Sequence, residues 1–278
     1  MIYFLPMLNK GGKMKKQIKR KLAILGLLGI TSIVSNAPIN SYANNSILVN
    51  QNSIIEEQDT TNNEKQEFFL GWTTTQVNIR EKPDTTSKIL ETVNFNTMIL
   101  YYLIDSNEEW VKINYQNGVA YIAKKYISKS KCEYQSYEIP NNDGFKSYMS
   151  YTAITSPESN QYKLQNLYAY TGDYGIRKVN GRYCIALGTY FNIEIGQYVD
   201  LVLENGTVIP CILGDVKANE HTDNNNLFTT ANGCCSEFII DASKLDSKAK
   251  RDGNISSCQE IWESSVAYVR IYNRKIFK

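Results

Sequence analysis

Between residues 67 and 128 apolar and aromatic side chains come in short runs that alternate with polar ones, and turn residues break the pattern about every eight to twelve positions. A period of two excludes amphipathic helices there and predicts a small all-β barrel. Its candidate strands are Gln76 to Arg80, Ile89 to Val93, Met98 to Ile104, Trp110 to Tyr115 and Val119 to Ile122, with Pro83-Asp84 and Asn117-Gly118 as turns. The polar stretch 129–147, which carries Pro140-Asn141-Asn142-Asp143-Gly144, reads as a linker. A second unit is expected over 148–278. Ser156-Pro157 predicts a helix running to about Tyr170, and beyond it the period returns to two. Tyr198 to Leu203 and Thr207 to Leu213 flank Asn205-Gly206, a strong hairpin signal, and Phe238 to Ile240 and Val266 to Ile271 add two more strands. The expected fold is therefore mainly β, in two modules, with one or two short helices. At roughly 150 residues per domain, 278 residues suit that division.

Charge is distributed unevenly. Seven Lys and Arg and no acid fall within the first 43 residues, which leaves 23 basic against 28 acidic side chains beyond them. The mildly acidic remainder argues against nucleic acid as a partner. Lys15 to Lys21 precede an apolar run from Leu22 to Val34 and then Ser41-Tyr42-Ala43, the order of a signal peptide over 1–43 with cleavage after Ala43. The run has 13 residues, short of the roughly 20 of a spanning helix. Export without further membrane contact is expected, to the exterior or the cell wall, with Met1 or Met14 as the start. Residues 44–66, rich in Asn, Gln, Ser, Thr and Glu, read as a disordered tether.

Val77-Asn78-Ile79-Arg80, Pro83, Ser87-Lys88-Ile89, Trp110-Val111-Lys112-Ile113, Gly118, Tyr121-Ile122 and Lys125-Tyr126-Ile127 arrive in an order and spacing that resemble a bacterial SH3-like domain. One departure is Ala120, where that family usually has Gly. The resemblance implies a module that docks on peptidoglycan or another cell-wall polymer through aromatic grooves. Arg80, Trp110 and Tyr121 are its candidate ligand contacts.

All six cysteines lie beyond that module, where export permits disulfides. Cys184 with Cys211 is one candidate pair, and Cys234 and Cys235 with Cys132 and Cys258 supply others. No Cys or His spacing suits a metal, and no cofactor is expected. With a single histidine, any imidazole chemistry must use His221. His221 followed by Asn232-Gly233-Cys234 resembles the L,D-transpeptidases, although Ala231 and Ser236-Glu237 stand where that family has a hydroxyl residue and an arginine. Cys235-Ser236-Glu237-Phe238 faintly resembles the NlpC-type wall peptidases, with the His on the wrong side of the Cys.

A larger stretch, Tyr183 to Leu245, looks like the six-stranded double-psi β-barrel of rare lipoprotein A-type and three-aspartate-type wall proteins. Ile195-Gly196, Val199-Asp200-Leu201, Glu204-Asn205-Gly206, Val208 to Leu213 with Asp215, and Phe238-Ile239-Ile240-Asp241 carry that likeness. It implies that Asp215 and Asp241 face a glycan groove. In the lytic transglycosylases of this family a polar group precedes the Gly-containing turn, where this chain has Gly188-Thr189. Glycosidic cleavage needs a carboxylic acid to protonate the leaving oxygen, and desolvation or a second carboxylate supplies the raised pKa. Asp215 is the expected acid, with Asp241 and His221 as further catalytic candidates and Asp223 and Glu237 as orienting or polarising groups. An ion pair with Lys217 would instead lower the Asp215 pKa. The chain is thus expected to bind peptidoglycan and to bind or cleave its glycan, with a purely adhesive protein or a Cys/His wall enzyme as alternatives.

Overall fold

The computed structural model of the protein describes residues 67–104 and 107–278. The expected signal peptide, 1–43, and the tether, 44–66, lie outside the described residues. The fold is mainly β, with two sheets and a few short helices. Among the described residues no helix is long and apolar enough to cross a membrane.

The first sheet has seven strands: β1 (Phe69–Thr73), β2 (Val77–Arg80), β3 (Ile89–Val93), β4 (Met98–Ile104), β5 (Asn107–Tyr115), β6 (Gly118–Ala123) and β7 (Ile127–Ser128). Alternation places Val77, Ile79, Val111, Ile113 and Ile122 inside one small core, while Asn78 and Lys112 point away from it. The β5–β6 turn falls on Gln116 and Asn117, because Tyr115 pairs with Gly118. Gly118 thus opens β6 where it was expected to complete the turn. Gly71 lets β1 pass under β7, since a Cβ there would strike the Ile127 side chain.

The second sheet is built from β8 (Tyr134–Glu138), β9 (Ser147–Ser150), β10 (Tyr170–Thr171), β11 (Arg177–Val179), β12 (Arg182–Leu187), β13 (Gln197–Leu203), β14 (Val208–Val216), β15 (Ser236–Ile240) and β16 (Val266–Lys275). The Asn205-Gly206 hairpin forms between β13 and β14, with Gly206 at φ +84°. Two pairings are parallel, β12 with β14 and β9 with β15. β12 is buried along its whole length, flanked by β14 on one edge and by β11 and β15 in succession on the other.

Three expectations change. The stretch 129–147 contains β8, an edge strand on β16, so its polar composition belongs to a half-solvated edge as well as to a connection. The helix begins later and is shorter: α1 spans Asn160–Lys163, capped by Ser159 rather than Ser156, and continues as a π turn over Leu164–Tyr168. The six cysteines are free thiols. Cys211 packs into the larger core of this module and Cys184 into the smaller, so neighbouring strands send the two thiols to opposite faces. Burial pushes Cys184 up to about 12 and Cys235 to about 11, which suits packed thiols.

The modules meet at Phe95, in the turn between β3 and β4. Its ring lies edge-on to Tyr198 at 4.8 Å and to Tyr272 at 5.1 Å, and 5.4 Å from the Arg182 guanidinium. Arg182 is itself buried against Asp200, donates to the carbonyls of Val199 at 2.6 Å and Cys211 at 2.7 Å, and leaves Asp200 to accept from Tyr272 Oη at 2.7 Å. Asn96, beside Phe95, exchanges two hydrogen bonds with the backbone of Cys132, at 2.9 and 3.1 Å. An aromatic plug and an amide clamp therefore tie the first module to the second.

Candidate functional site

The site forms where β14, β12, β15 and β9 lie side by side. In that order Asp215, Ala186, Glu237 and Ser147 occupy one register across the four strands. Asp215 reaches this row through a β-bulge. The β12–β14 register shifts between Ile185 and Ala186, Gly214 is skipped, and Asp215 is brought opposite Ala186. Gly214 suits the bulge for a second reason: a Cβ there would meet Ile239 Cδ1 at 2.6 Å and Gln165 Nε2 at 3.1 Å. The missing side chain lets the α1 segment lie across β14, where the Gln161 side chain hydrogen-bonds the Asp215 carboxyl.

Burial pushes the Asp215 carboxyl above its ordinary value, and the Glu237 carboxylate adds to the rise. Hydrogen bonds from the Val216 N–H, at 2.9 Å, and from Gln161 pull in the opposite direction without cancelling it. Lys217, expected as a rival ion-pair partner, makes no ion pair with Asp215 among the described residues. Its buried ammonium donates to Thr229 Oγ1 at 2.9 Å and to the Cys234 carbonyl at 3.2 Å. Asp215 is therefore half-buried and keeps its proton to higher pH than a solvated aspartate does.

Glu237 accepts a hydrogen bond from Ser147 Oγ at 2.8 Å, and the same oxygen lies 2.9 Å from Cys234 Sγ. Thr229 Oγ1 stands 3.0 Å from that sulfur and Lys217 Nζ 3.7 Å. This chain fixes the rotamer of Glu237 from behind. Ser147 and Gln161 carry no motif, and only β-pairing or helix packing brings them here, whereas Thr229 meets Cys234 through the local 229–234 turn. Cys234 is 2% exposed, whereas the His221 side chain is 71% exposed and lies 3.6 Å from Glu220.

The other carboxylates serve local turns. Asp241 follows β15 and accepts from Ser243 N at 3.0 Å, Ser243 Oγ at 2.7 Å and Thr171 Oγ1 at 3.2 Å. The Ser243 hydroxyl bond is foremost in holding its carboxyl below the ordinary value, the reverse of Asp215. Asp223 accepts from the N–H groups of Leu227 at 2.8 Å and Phe228 at 3.2 Å, which closes the 223–228 loop. Gly188 lets that loop pack down, because a Cβ would strike the Asn226 carbonyl. Asp241, Asp223 and His221 thus occupy turns and a loop outside the Asp215–Glu237 register. Among the described residues no group of three or more His, Cys, Asp or Glu side chains is placed to hold a metal ion.

In the first module Trp110 is 6% exposed and mostly core, with an edge lining a cleft at the junction of the two modules. Arg80 lines the same cleft and donates to the Ser87 carbonyl at 2.6 Å. Tyr121, half-buried, pairs with Arg80 across β6 and β2.

Residues 75–128, which take in β2 to β7 of the first sheet, match the bacterial SH3 domain family. No curated protein matches the chain.

Proposed function

We propose that this is an exported, cell-wall-associated protein whose SH3 module holds it on peptidoglycan while the second module cleaves the glycan with Asp215 as general acid. Bacterial SH3 domains are commonly wall-binding modules, which supports the first half. The second half is carried by one observation: Asp215 and Glu237 share a register across Ala186, with the Asp215 pKa raised by burial and by Glu237. The parallel pairs β12–β14 and β9–β15 are the basis for reading this module as a double-psi-type barrel.

In this mechanism Asp215 gives its proton to the glycosidic oxygen as the bond to the sugar C1 breaks. Glu237, kept in place by Ser147, faces the positive charge that develops on the ring and stabilises it. The Asp215 carboxylate then takes the proton from a hydroxyl of the same sugar as that oxygen bonds to C1. An anhydro ring forms, no water is consumed, and Asp215 regains its proton. Asp241, Asp223 and His221 are left to loop structure. The geometry favours this over thiol chemistry, since Cys234 is sealed and the only imidazole faces solvent.

The full chain incubated with purified sacculi should release anhydro-muropeptides, identified by mass. Asp215→Asn should cut the release by about 100-fold or more while sacculus binding persists. Equal release by Asp215→Asn rejects the assignment, and binding without soluble product from the unaltered chain makes it an adhesive protein.

A further inference from the structure

The cleft at the junction of the modules encloses about 530 Å³, within the range of small-ligand sites. It belongs to neither module alone, because Arg80, Trp110 and Lys125 come from the first and Asn180 and Arg274 from the second. Its lining holds three cations and no carboxylate. Among the described residues Arg274 has no carboxylate partner, and Lys125, exposed, lies only over the ring of Tyr126 at 5.0 Å. The cleft lining also carries Thr75, whose Oγ1 is buried with no hydrogen-bond partner among the described residues.

The backbone adds a second feature. β2 pairs with β6 through Arg80 and Tyr121 alone, so along Val77 and Asn78, which line the cleft, that edge of β2 has no strand partner among the described residues. An open strand edge suits an extended peptide, which can pair with it through main-chain groups. Two guanidinium groups lining one cleft, Arg80 with one N–H given to the Ser87 carbonyl and Arg274, suit a carboxylate, which such groups hold through charge-assisted hydrogen bonds.

We propose that this cleft binds the carboxylate end of an extended peptide, with the chain laid along β2 and the carboxylate held by Arg80 from the first module and Arg274 from the second. The site goes beyond wall anchoring by the SH3 module alone, because it is incomplete without the second module. It is independent of glycan cleavage. Docking of Phe95 among Tyr198, Tyr272 and Arg182 keeps the two walls in register.

The test is titration of the full chain, followed by the indole N–H resonances of its three tryptophans, of which Trp110 alone lines the cleft. The probes are N-acetyl-trialanine with a free carboxylate, the same peptide as its C-terminal amide, and glycerol phosphate. Saturable movement of Trp110 is expected with the free acid, with affinity at least tenfold weaker for the amide. Arg274→Gln, at an exposed position, should weaken the free acid at least tenfold and leave the other indole resonances in place. Equal affinity for the amide, an unchanged Arg274→Gln variant, tighter binding of glycerol phosphate, or no movement of Trp110 with any probe would each overturn the proposal. A chain inactive on sacculi can still bind the peptide, so the two readings fail separately.

Discussion

Asp215 and Glu237 stand on either side of Ala186, one contributed by a parallel strand and the other by an antiparallel one. Strand β12, with the small Ala186 facing them, lies between the two carboxyl-bearing positions, and each carboxyl is steadied from outside the pair: Asp215 by Gln161 and Glu237 by Ser147. Burial disfavours the charged form of the Asp215 carboxyl, and the nearby Glu237 adds to that, so Asp215 keeps its proton to higher pH than a solvated aspartate does.

The bulge that delivers Asp215 depends on the absence of a side chain at 214. Gly214→Ala should destabilise the protein by about 1–3 kcal/mol, the usual range for overpacking. The α1 segment should lift from β14 and the Asp215–Gln161 hydrogen bond should be lost. Chemical denaturation checks the first effect. Amide exchange across Asn160–Lys163 checks the second, with faster exchange expected in the variant.

Phe95 is the plug between the modules, and its truncation leaves a hole bounded by two tyrosine rings and a guanidinium. Phe95→Ala should cost about 3–4 kcal/mol. It should also uncouple the modules, so that a single melting transition splits into two by calorimetry. Arg182 and Asp200 keep each other after the change, so the second module should still fold.

Lys146 is fully buried, and its ammonium donates to the carbonyls of Trp262 at 2.7 Å, Gly144 at 2.8 Å and Ser264 at 2.9 Å. Lys146→Met strands these acceptors and should lower stability by about 2–4 kcal/mol at neutral pH. Burial lowers the Lys146 pKa to about 8 from an ordinary 10.5, so between those values the unfolded chain binds more protons than the folded one. Stability contributed through Lys146 therefore rises with pH across that window. The gap between the two proteins in urea midpoint should widen from pH 8 to pH 10.5.

Much of this architecture is written in local pattern. Ile89–Val93 and Met98–Ile104 are strands at the bounds their alternation predicts, and Asn205-Gly206 makes its hairpin. Strands β1 and β8 escape notice because Phe69–Thr73 contains a glycine and Tyr134–Glu138 is exposed at every position but Tyr137, so it shows no buried alternation. Within the site, Asp215 is legible as a strand-end acid and Glu237 as a polar residue entering a strand. Their juxtaposition is not, because it needs the parallel β12–β14 pairing and a bulge at Gly214. Asp241 shows the converse. Its position at a strand end invites a catalytic reading, and Ser243 two residues on is the signal of the turn it closes.

The central claim is that Asp215 is the proton-holding member of a carboxyl pair, and its own titration tests this most directly. Followed by carboxyl carbon-13 NMR in the full chain, Asp215 should titrate above the roughly 3.9 of a free aspartate. Its midpoint should fall in Glu237→Gln, where the neighbouring charge is gone. Because a raised folded pKa stabilises the protein only while the group is protonated, Asp215→Asn should gain stability over the unaltered chain as pH climbs through that midpoint. A midpoint at or below the free value, unmoved by Glu237→Gln, would contradict the account.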